Sequence, residues 1–303
     1  MPSSNQRTVV TIGNFDGVHL GHRRLVDAAV AEAGAKGADA VAVTFEPHPV
    51  SFFKGVGAET FRLQTPDARD TTLIGLGLSR VDRLTFDETL TATTPESFVD
   101  LLKERHPGIL GIHVGDDFRF GRARAGDTKL LAALGARHGF TVTVHEAVTY
   151  LDEAVSSSRV RGALRSSEME TVEALLGRPY AIAGEVAAGH GRGRTFGVPT
   201  LNLYPTGHLL PAHGVFVATI ACGAQAIWAV ANLGIRPTFA DDPRISLEAH
   251  ALTSFEELEG VVTVQLHTFL RPEKRFEDAT ALRAQIALDI AAATAWHAAH
   301  PKR

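Results

Sequence analysis

The sequence predicts two folds in series. Residues 1–180 read as an α/β domain on a parallel sheet, and residues 181–303 as a small antiparallel β-barrel or sandwich with a closing helix. Three observations carry this. The chain has 303 residues, where a single domain takes ~150. Up to about residue 178, strand-like and helix-like runs alternate, the rhythm of a parallel sheet with helices on both faces. Beyond Gly177, short strand-like runs stand between Gly and Pro turns, the texture of an antiparallel barrel or sandwich.

Taken in order, RTVVTI is a buried strand. HRRLVDAAVAEAGAKG follows as a helix with Leu25, Val26, Ala29, Val30 and Ala33 on one face and Gly34 or Gly37 near its end. ADAVAVTF is a second strand. TPESFVDLLKERHPG is a helix that Thr94 can cap, with Glu96 in its first turn and Pro107 beyond its end. ILGIHVG is a strand, DTKLLAALGARHG a helix and FTVTVHEA a strand. One helical stretch, SSSRVRGALRSSEMETVEALLG, closes the half. The second half offers YAIAGEV, GVFVATIAC, AIWAVANLG, SLEAHAL and VVTVQLHTFL as strands, and DATALRAQIALDIAAATAWHAA as the closing helix. The boundary falls near residues 177–181, without a long linker.

Composition excludes several classes. Apolar residues make up 45% and charged residues 21%, enough for sizeable cores. A formal net charge of -4 gives no electrostatic reason for nonspecific nucleic-acid or anionic-membrane binding. Cys222 is the one cysteine, so no internal disulfide forms and a reducing cytoplasm is expected. MPSSNQRTVV lacks the apolar core of a signal peptide, and no run approaches the ~20 apolar residues of a membrane span. Oligomeric state is not readable from the chain.

The densest stretch is TIGNFDGVHLGH, residues 11–22. A strand that ends in a glycine turn and feeds a helix presents backbone N–H groups to an anion. His19 and His22, three residues apart at that helix start, can point to one side and hydrogen-bond phosphate oxygens. Gly21 allows close approach. Two exposed turn histidines are an equal alternative on this motif alone. Zinc is disfavoured, because no third ligand or cysteine cluster lies nearby.

Three more segments follow in order: Thr44-Phe45-Glu46-Pro47-His48-Pro49, Gly115-Asp116-Asp117-Phe118-Arg119-Phe120-Gly121, and Ser156-Ser157-Ser158-Arg159-Val160-Arg161. Together with Gly13-Asn14-Phe15-Asp16-Gly17-Val18-His19-Leu20-Gly21-His22, the set resembles the nucleotidyltransferase superfamily. Within it, the set is similar to the FAD synthetase module of bacterial bifunctional riboflavin kinase/FAD synthetases. The resemblance implies a Rossmann-like nucleotidyltransferase domain. It also implies that His19 and His22 stabilise the triphosphate and leaving pyrophosphate. Gly13, Phe15, Gly21, Ser157, Ser158 and Arg161 are implied to form the nucleotide site, Ser158 standing where threonine is more usual. Asp117 and Arg119 are implied to line the nucleotide or flavin cleft; a buried Asp–Arg pair beneath it stays open. Pro47 and His48 have a conformational role in their loop or a direct contact.

The second half carries GHGRGRTFGVPTLNL, residues 189–203. Gly191, Arg192 and Gly193 could wrap phosphates with backbone N–H groups, or form a plain hairpin loop. Pro199-Thr200-x-Asn202 resembles the riboflavin kinase motif, which implies Mg²⁺ and ATP phosphates at Thr200 and Asn202. Residues 231–239, ANLGIRPTF, follow that kinase order. Glu248, which alone reads as an outward strand residue, falls at the position of its catalytic base. Arg271 and Phe276 fall at its flavin-contacting segment, with surface charge and a helix-packing aromatic as the open alternatives. The resemblance thus covers nearly the whole chain and implies a β-barrel kinase domain with a C-terminal helix. Three departures stand out: Thr253 near an expected aspartate, Leu258-Glu259-Gly260 for Leu-Tyr-Gly, and Val198 for phenylalanine. The implied function is phosphorylation of riboflavin to FMN, then transfer of AMP from ATP to FMN, giving FAD and pyrophosphate. The implied small molecules are riboflavin, FMN, FAD and ATP with Mg²⁺. The competing readings are a chain with only the adenylyltransferase active, and a non-catalytic flavin-binding protein.

Overall fold

The computed structural model describes residues 7–57, 60–186, 200–205, 207–222, 225–236, 244–253 and 260–301. The chain forms two compact units, Met1–Ser157 and Ser158–Arg303.

The first unit is a five-stranded sheet of β1 (Arg7–Ile12), β2 (Asp39–Glu46), β3 (Arg80–Thr85), β4 (Gly108–Gly115) and β5 (Thr141–His145). Its order is β3-β2-β1-β4-β5, and every pairing is parallel. Both faces are covered, as the unbroken apolar runs of the strands require. On one face, α1 (Leu20–Lys36) and α3 (Pro66–Gly75) bring Val26, Ala29, Ala33 and Leu73 onto Val9, Ala40 and Ala42. On the other, α5 (Pro95–Arg105) and α6 (Thr128–His138) bring Phe98, Leu102, Leu131 and Leu134 onto Val10, Val43, Ile112 and Val114. Thr94 caps α5 through Ser97 N–H, and Gly37, at φ 57°, ends α1. Two further short helices are α2 (Pro49–Lys54) and α4 (Glu88–Ala92), and β6 (Thr149–Tyr150) pairs with β7 (Glu153–Ala154). Strand order reverses beside β1, which pairs with both β2 and β4, so the crevice for a ligand opens at the carboxyl ends of β1 and β4.

The second unit begins within the stretch expected as one closing helix. That stretch forms two, α7 (Ser157–Arg165) and α8 (Met169–Leu176), broken where Ser167 takes φ 55°. By packing, α8 belongs with the second unit: it lies on β8 (Tyr180–Val186) and β13 (Val261–Pro272), and the Thr268 hydroxyl donates to Glu170. With β9 (Thr200–Pro205), β10 (Gly214–Cys222), β11 (Gln225–Arg236) and β12 (Arg244–Ala251), these strands close a barrel in the order β10-β11-β12-β9-β8-β13. Inward positions alternate along each strand, as the pleat dictates. Phe216, Ala218, Ala229, Ala231, Leu233, Leu247, Ala249, Leu201 and Leu203 fill the interior. α9 (Ala279–Ala299), capped by Asp278, covers the outer face over Val215, Val217 and Val230 through Ala293.

Candidate active sites

In the first unit, β1 leaves the sheet through a strained turn. Phe15, Gly17 and Val18 hold φ of 51°, 83° and 41°, and Val18 N–H bonds Phe15 carbonyl at 3.1 Å. A β-branched residue in the left-handed region costs on the order of 1–3 kcal/mol, so its surroundings must hold it there. The turn delivers His19 to the start of α1, where its Nδ1 accepts His22 N–H at 3.3 Å. That bond assigns the neutral His19 proton to Nε2, leaving a donor on the far side of the ring. The rings of His19 and His22 stack at 3.7 Å and 18°, so both expected residues meet on one side. A Cβ on Gly21 would sit 3.1 Å from His19 Cε1; glycine lets the ring lie against the backbone. Phe15 is fully buried, its ring edge-on to His22 at 5.3 Å, and it closes on Gly13. It therefore supports His22 from inside the core.

The neighbouring segments converge here. Thr44 donates to Asn14 carbonyl at 3.3 Å, and Gly13 N–H to Val43 carbonyl at 3.1 Å. Ser157, which starts α7, donates to Asp16 carbonyl at 2.9 Å. Ser158 and Arg161 follow within the next turn of that helix. His48 caps α2 by accepting Val50 N–H at 3.1 Å and packs on Phe61, an arrangement that suits the first of the two roles weighed for it. Asp117 and Arg119 are both exposed on the turn after β4, and Arg119 donates to Phe118 carbonyl at 2.9 Å. The turn thus does not build the buried Asp–Arg pair left open above. Sequence reasoning missed the corner formed by Phe52, Phe53 and Phe86, three rings mutually edge-on at 5.4–5.7 Å, with Phe53 68% exposed. Its only sequence signal is the adjacent pair Phe52-Phe53.

Away from the crevice, His113 bridges Glu32 at 2.8 Å and His145 at 2.9 Å. Burial pushes the His113 imidazolium below its ordinary pKa, against the pull of Glu32. Burial would raise the Glu32 carboxyl, but Lys36 and His113 outweigh it and hold it low. Asp82 is also held low, chiefly by its hydrogen bond to His106. Among the described residues, no cluster of three or more His, Cys, Asp or Glu side chains could hold a metal ion.

In the barrel, register brings the expected kinase residues together. Glu248 pairs with Asn202 of β9 on one side and Asn232 of β11 on the other. Directly opposed residues share a face, ~5 Å apart at Cβ. Their neighbours Leu247 and Ala249 fill the interior, so this polar row faces outward. The next row on that face is Thr200 and His250, with Thr200 Oγ1 2.9 Å from His250 Nδ1. Asn232 was read from sequence only as part of the ANLGIRPTF segment, without a role of its own, and His250 was not singled out; the period of two counted from Glu248 could have found it. Arg271 grips Asp289 of α9 through Nε at 2.9 Å and Nη2 at 2.7 Å, with its guanidinium 5.9 Å from the Phe276 ring. Arg271 and Phe276 thus meet where β13 approaches α9, with the Arg271 guanidinium paired to Asp289, the charge and packing arrangement weighed beside a flavin contact. A Cβ on Gly234 would collide with the Glu273 carboxylate, so that residue seats against β11. Gly191, Arg192 and Gly193 lie outside the described residues.

Two family models match the chain, one for FAD synthetase over residues 1–159 and one for riboflavin kinase over residues 176–297. The chain is 38% identical to the bifunctional riboflavin kinase/FMN adenylyltransferase of Pseudomonas fluorescens, covering 95% of this chain and 92% of the relative. It is 37% identical to the protein of that name from Escherichia coli K12 (93% and 90%) and 30% identical to that of Listeria monocytogenes (93% and 90%). A crystal structure described as a macrolide-efflux protein from Streptococcus pneumoniae superposes with a TM-score of 0.83 at 26% identity, covering 95% of this chain and 93% of that one.

Proposed function

The chain belongs to the bifunctional riboflavin kinase/FMN adenylyltransferases of flavin cofactor biosynthesis, and from that premise we propose how its residues divide the two reactions. The observation that carries the proposal is the outward row Asn232–Glu248–Asn202, beside Thr200 and His250. A closed barrel has no structural need for a carboxylate between two amides. Such a row suits a reaction in which a hydroxyl must lose a proton.

In the kinase reaction, a neutral ribityl hydroxyl of riboflavin attacks the γ-phosphate of ATP. Glu248 takes its proton as the new P–O bond forms and the bond from the γ-phosphorus to the bridging oxygen breaks, releasing ADP. Thr200 and Asn202 offer hydroxyl and amide oxygens, the hard donors that suit Mg²⁺ shared with phosphates and water. With His250 Nδ1 as acceptor, the Thr200 proton points at the ring and its lone pairs turn away from it. Bound there, Mg²⁺ would neutralise phosphate charge.

In the adenylyl transfer, the FMN phosphate is already an anion, so no base is required and catalysis reduces to alignment and charge stabilisation. The stacked His19 and His22 bind the departing pyrophosphate, with His19 Nε2–H as one donor. The start of α7, with Ser157, Ser158 and Arg161, holds phosphates. Asp117 and Arg119 flank the crevice, and the exposed Phe52–Phe53–Phe86 corner offers ring faces to an isoalloxazine. The functional modules divide at 180/181, and the cytoplasm is the working compartment. No helix among the described residues is long and apolar enough to cross a membrane.

The test is a product assay. Purified protein with riboflavin and Mg·ATP should give FMN and then FAD, separated on a column, and chelation of Mg²⁺ should stop both. FAD from added FMN, with no FMN from riboflavin, would leave only the adenylyltransferase active. Flavin binding without turnover would identify a binding protein.

A further inference from the structure

Asp16 carries no chemistry in this scheme, yet three segments of the first unit meet on it. It is 4% exposed. Its carboxylate Oδ1 accepts Leu63 N–H at 2.9 Å, a bond buried across 47 residues of chain. Its carbonyl accepts the Ser157 hydroxyl at 2.9 Å. It stands between Phe15 and Val18, the two non-glycine residues that the turn holds at positive φ. The linkage continues outward: Arg62, next to Leu63, grips Glu46 at the end of β2 with bonds of 2.6 and 2.8 Å.

We propose that Asp16 is a positioning residue for adenylyl transfer, fixing the spacing between the His19–His22 pair and the Ser157 helix start by holding one with its side chain and the other with its carbonyl. This rests on the reading that the histidine pair stabilises the departing pyrophosphate. A turn with strained residues on either side of Asp16 relaxes when its tether is cut. The relaxation moves His19, which is three residues on and buried, and with it the ring stacked on it. The carbonyl bond to Ser157 makes the same movement shift the helix start. Errors at the two phosphate-binding elements are therefore coupled through one residue.

The experiment compares Asp16→Ala, Asp16→Asn, His22→Ala and the double variant Asp16→Ala/His22→Ala in the full chain. FMN adenylylation is read as kcat and as KM for ATP, and riboflavin phosphorylation serves as the control on the other unit. Asp16→Ala should lower kcat by ~10²-fold, the scale of an ångström-sized misplacement, with a much smaller change in KM. Asp16→Asn keeps the oxygen that accepts Leu63 N–H and should recover to within about tenfold of the parent. In the His22→Ala background, Asp16→Ala should cost little more, because the pair it positions is already broken. Losses that multiply would overturn the proposal, as would parental kcat in Asp16→Ala while His22→Ala is slow. If His22→Ala itself runs at the parental rate, the histidine reading falls instead. Should Asp16→Ala fail to fold, Asp16→Asn decides: near-parental turnover supports positioning, and turnover as slow as that of His22→Ala refutes it.

Discussion

His19 accepts the backbone N–H of His22 and stacks on its ring, so one histidine caps the helix while orienting the other. Replacing His22 with Ala leaves that cap bond intact, since the donor is backbone. FAD formation from FMN should fall by ~10²-fold or more, the scale for losing one well-placed donor to a transition state. Riboflavin phosphorylation should persist. Equal loss of both activities would show that the change had damaged the fold.

Glu248→Gln keeps the size and hydrogen-bonding reach of the side chain between Asn202 and Asn232 but removes its basicity. Riboflavin phosphorylation should drop by roughly 10²–10⁴-fold, while conversion of added FMN to FAD stays near the parental rate. FMN production at the parental rate would reduce Glu248 to a structural residue of β12.

The helix before the barrel provides a test of the module boundary. Met169, Val172, Leu175 and Leu176 of α8 are buried, and the helix lies on β8 and β13. Each such side chain contributes up to ~1.5–3 kcal/mol on burial, an upper bound. A fragment of residues 158–303 should therefore melt at least ~5 °C above one of residues 181–303. Kinase activity should follow the folded fraction in both. Equal melting temperatures would make α8 dispensable to the barrel.

His297 gives the second unit an acid limit. Burial holds its imidazolium below the ordinary value; the ring stacks on Trp228 at 4.7 Å, and Nε2 bonds Ala218 carbonyl at 3.2 Å. The unfolded chain takes up a proton that the folded one refuses, so stability rises with pH across the gap. The contribution is complete above pH ~6.5, the unperturbed histidine value. It is lost as pH falls from there towards the folded pKa. His297→Gln retains a donor for Ala218 but does not titrate, so thermal unfolding followed from pH 7.5 to 5 should show a flatter acid limb. His267 and His300, the neighbouring histidines, remain in both proteins, and an unchanged slope would overturn the role given to His297.

Much of this was legible in the chain. Long amphipathic runs and capping residues such as Thr94 and Gly37 located α1, α5 and α6, and strand-like runs between Gly and Pro turns located five of the barrel strands; β9, TLNLYP, was read only as part of a motif. Residues 49–92 were not read into elements, because α2, α3, β3 and α4 are short. β3 in particular, as RVDRLT at the edge of the sheet, has only Leu84 buried and so lacks the apolar run of an inner strand. The break between α7 and α8 rests on Ser167 at positive φ, a conformation that serine does not advertise. The histidine pair could be found because the spacing of the H-x-G-H run places it, whereas Glu248 was found only through its place in the order of the kinase motifs; alone it reads as an outward strand residue. Asp16–Leu63, Arg271–Asp289 and Asn232–Glu248 are joined by the fold across long stretches of chain, and no local spacing shows such pairs.

The outward row of the barrel makes the kinase chemistry a matter of parity. Adding one residue within β9, or deleting one, would turn Thr200 and Asn202 inward and present Leu201 and Leu203 to solvent. A change of two would restore the facing but move the amide past Glu248 to another neighbour. Divergence in this family can therefore rewrite the loops between these strands freely in length. Within the strands it is limited to exchanging side chains, and drift in activity should be sought there as substitution rather than as insertion.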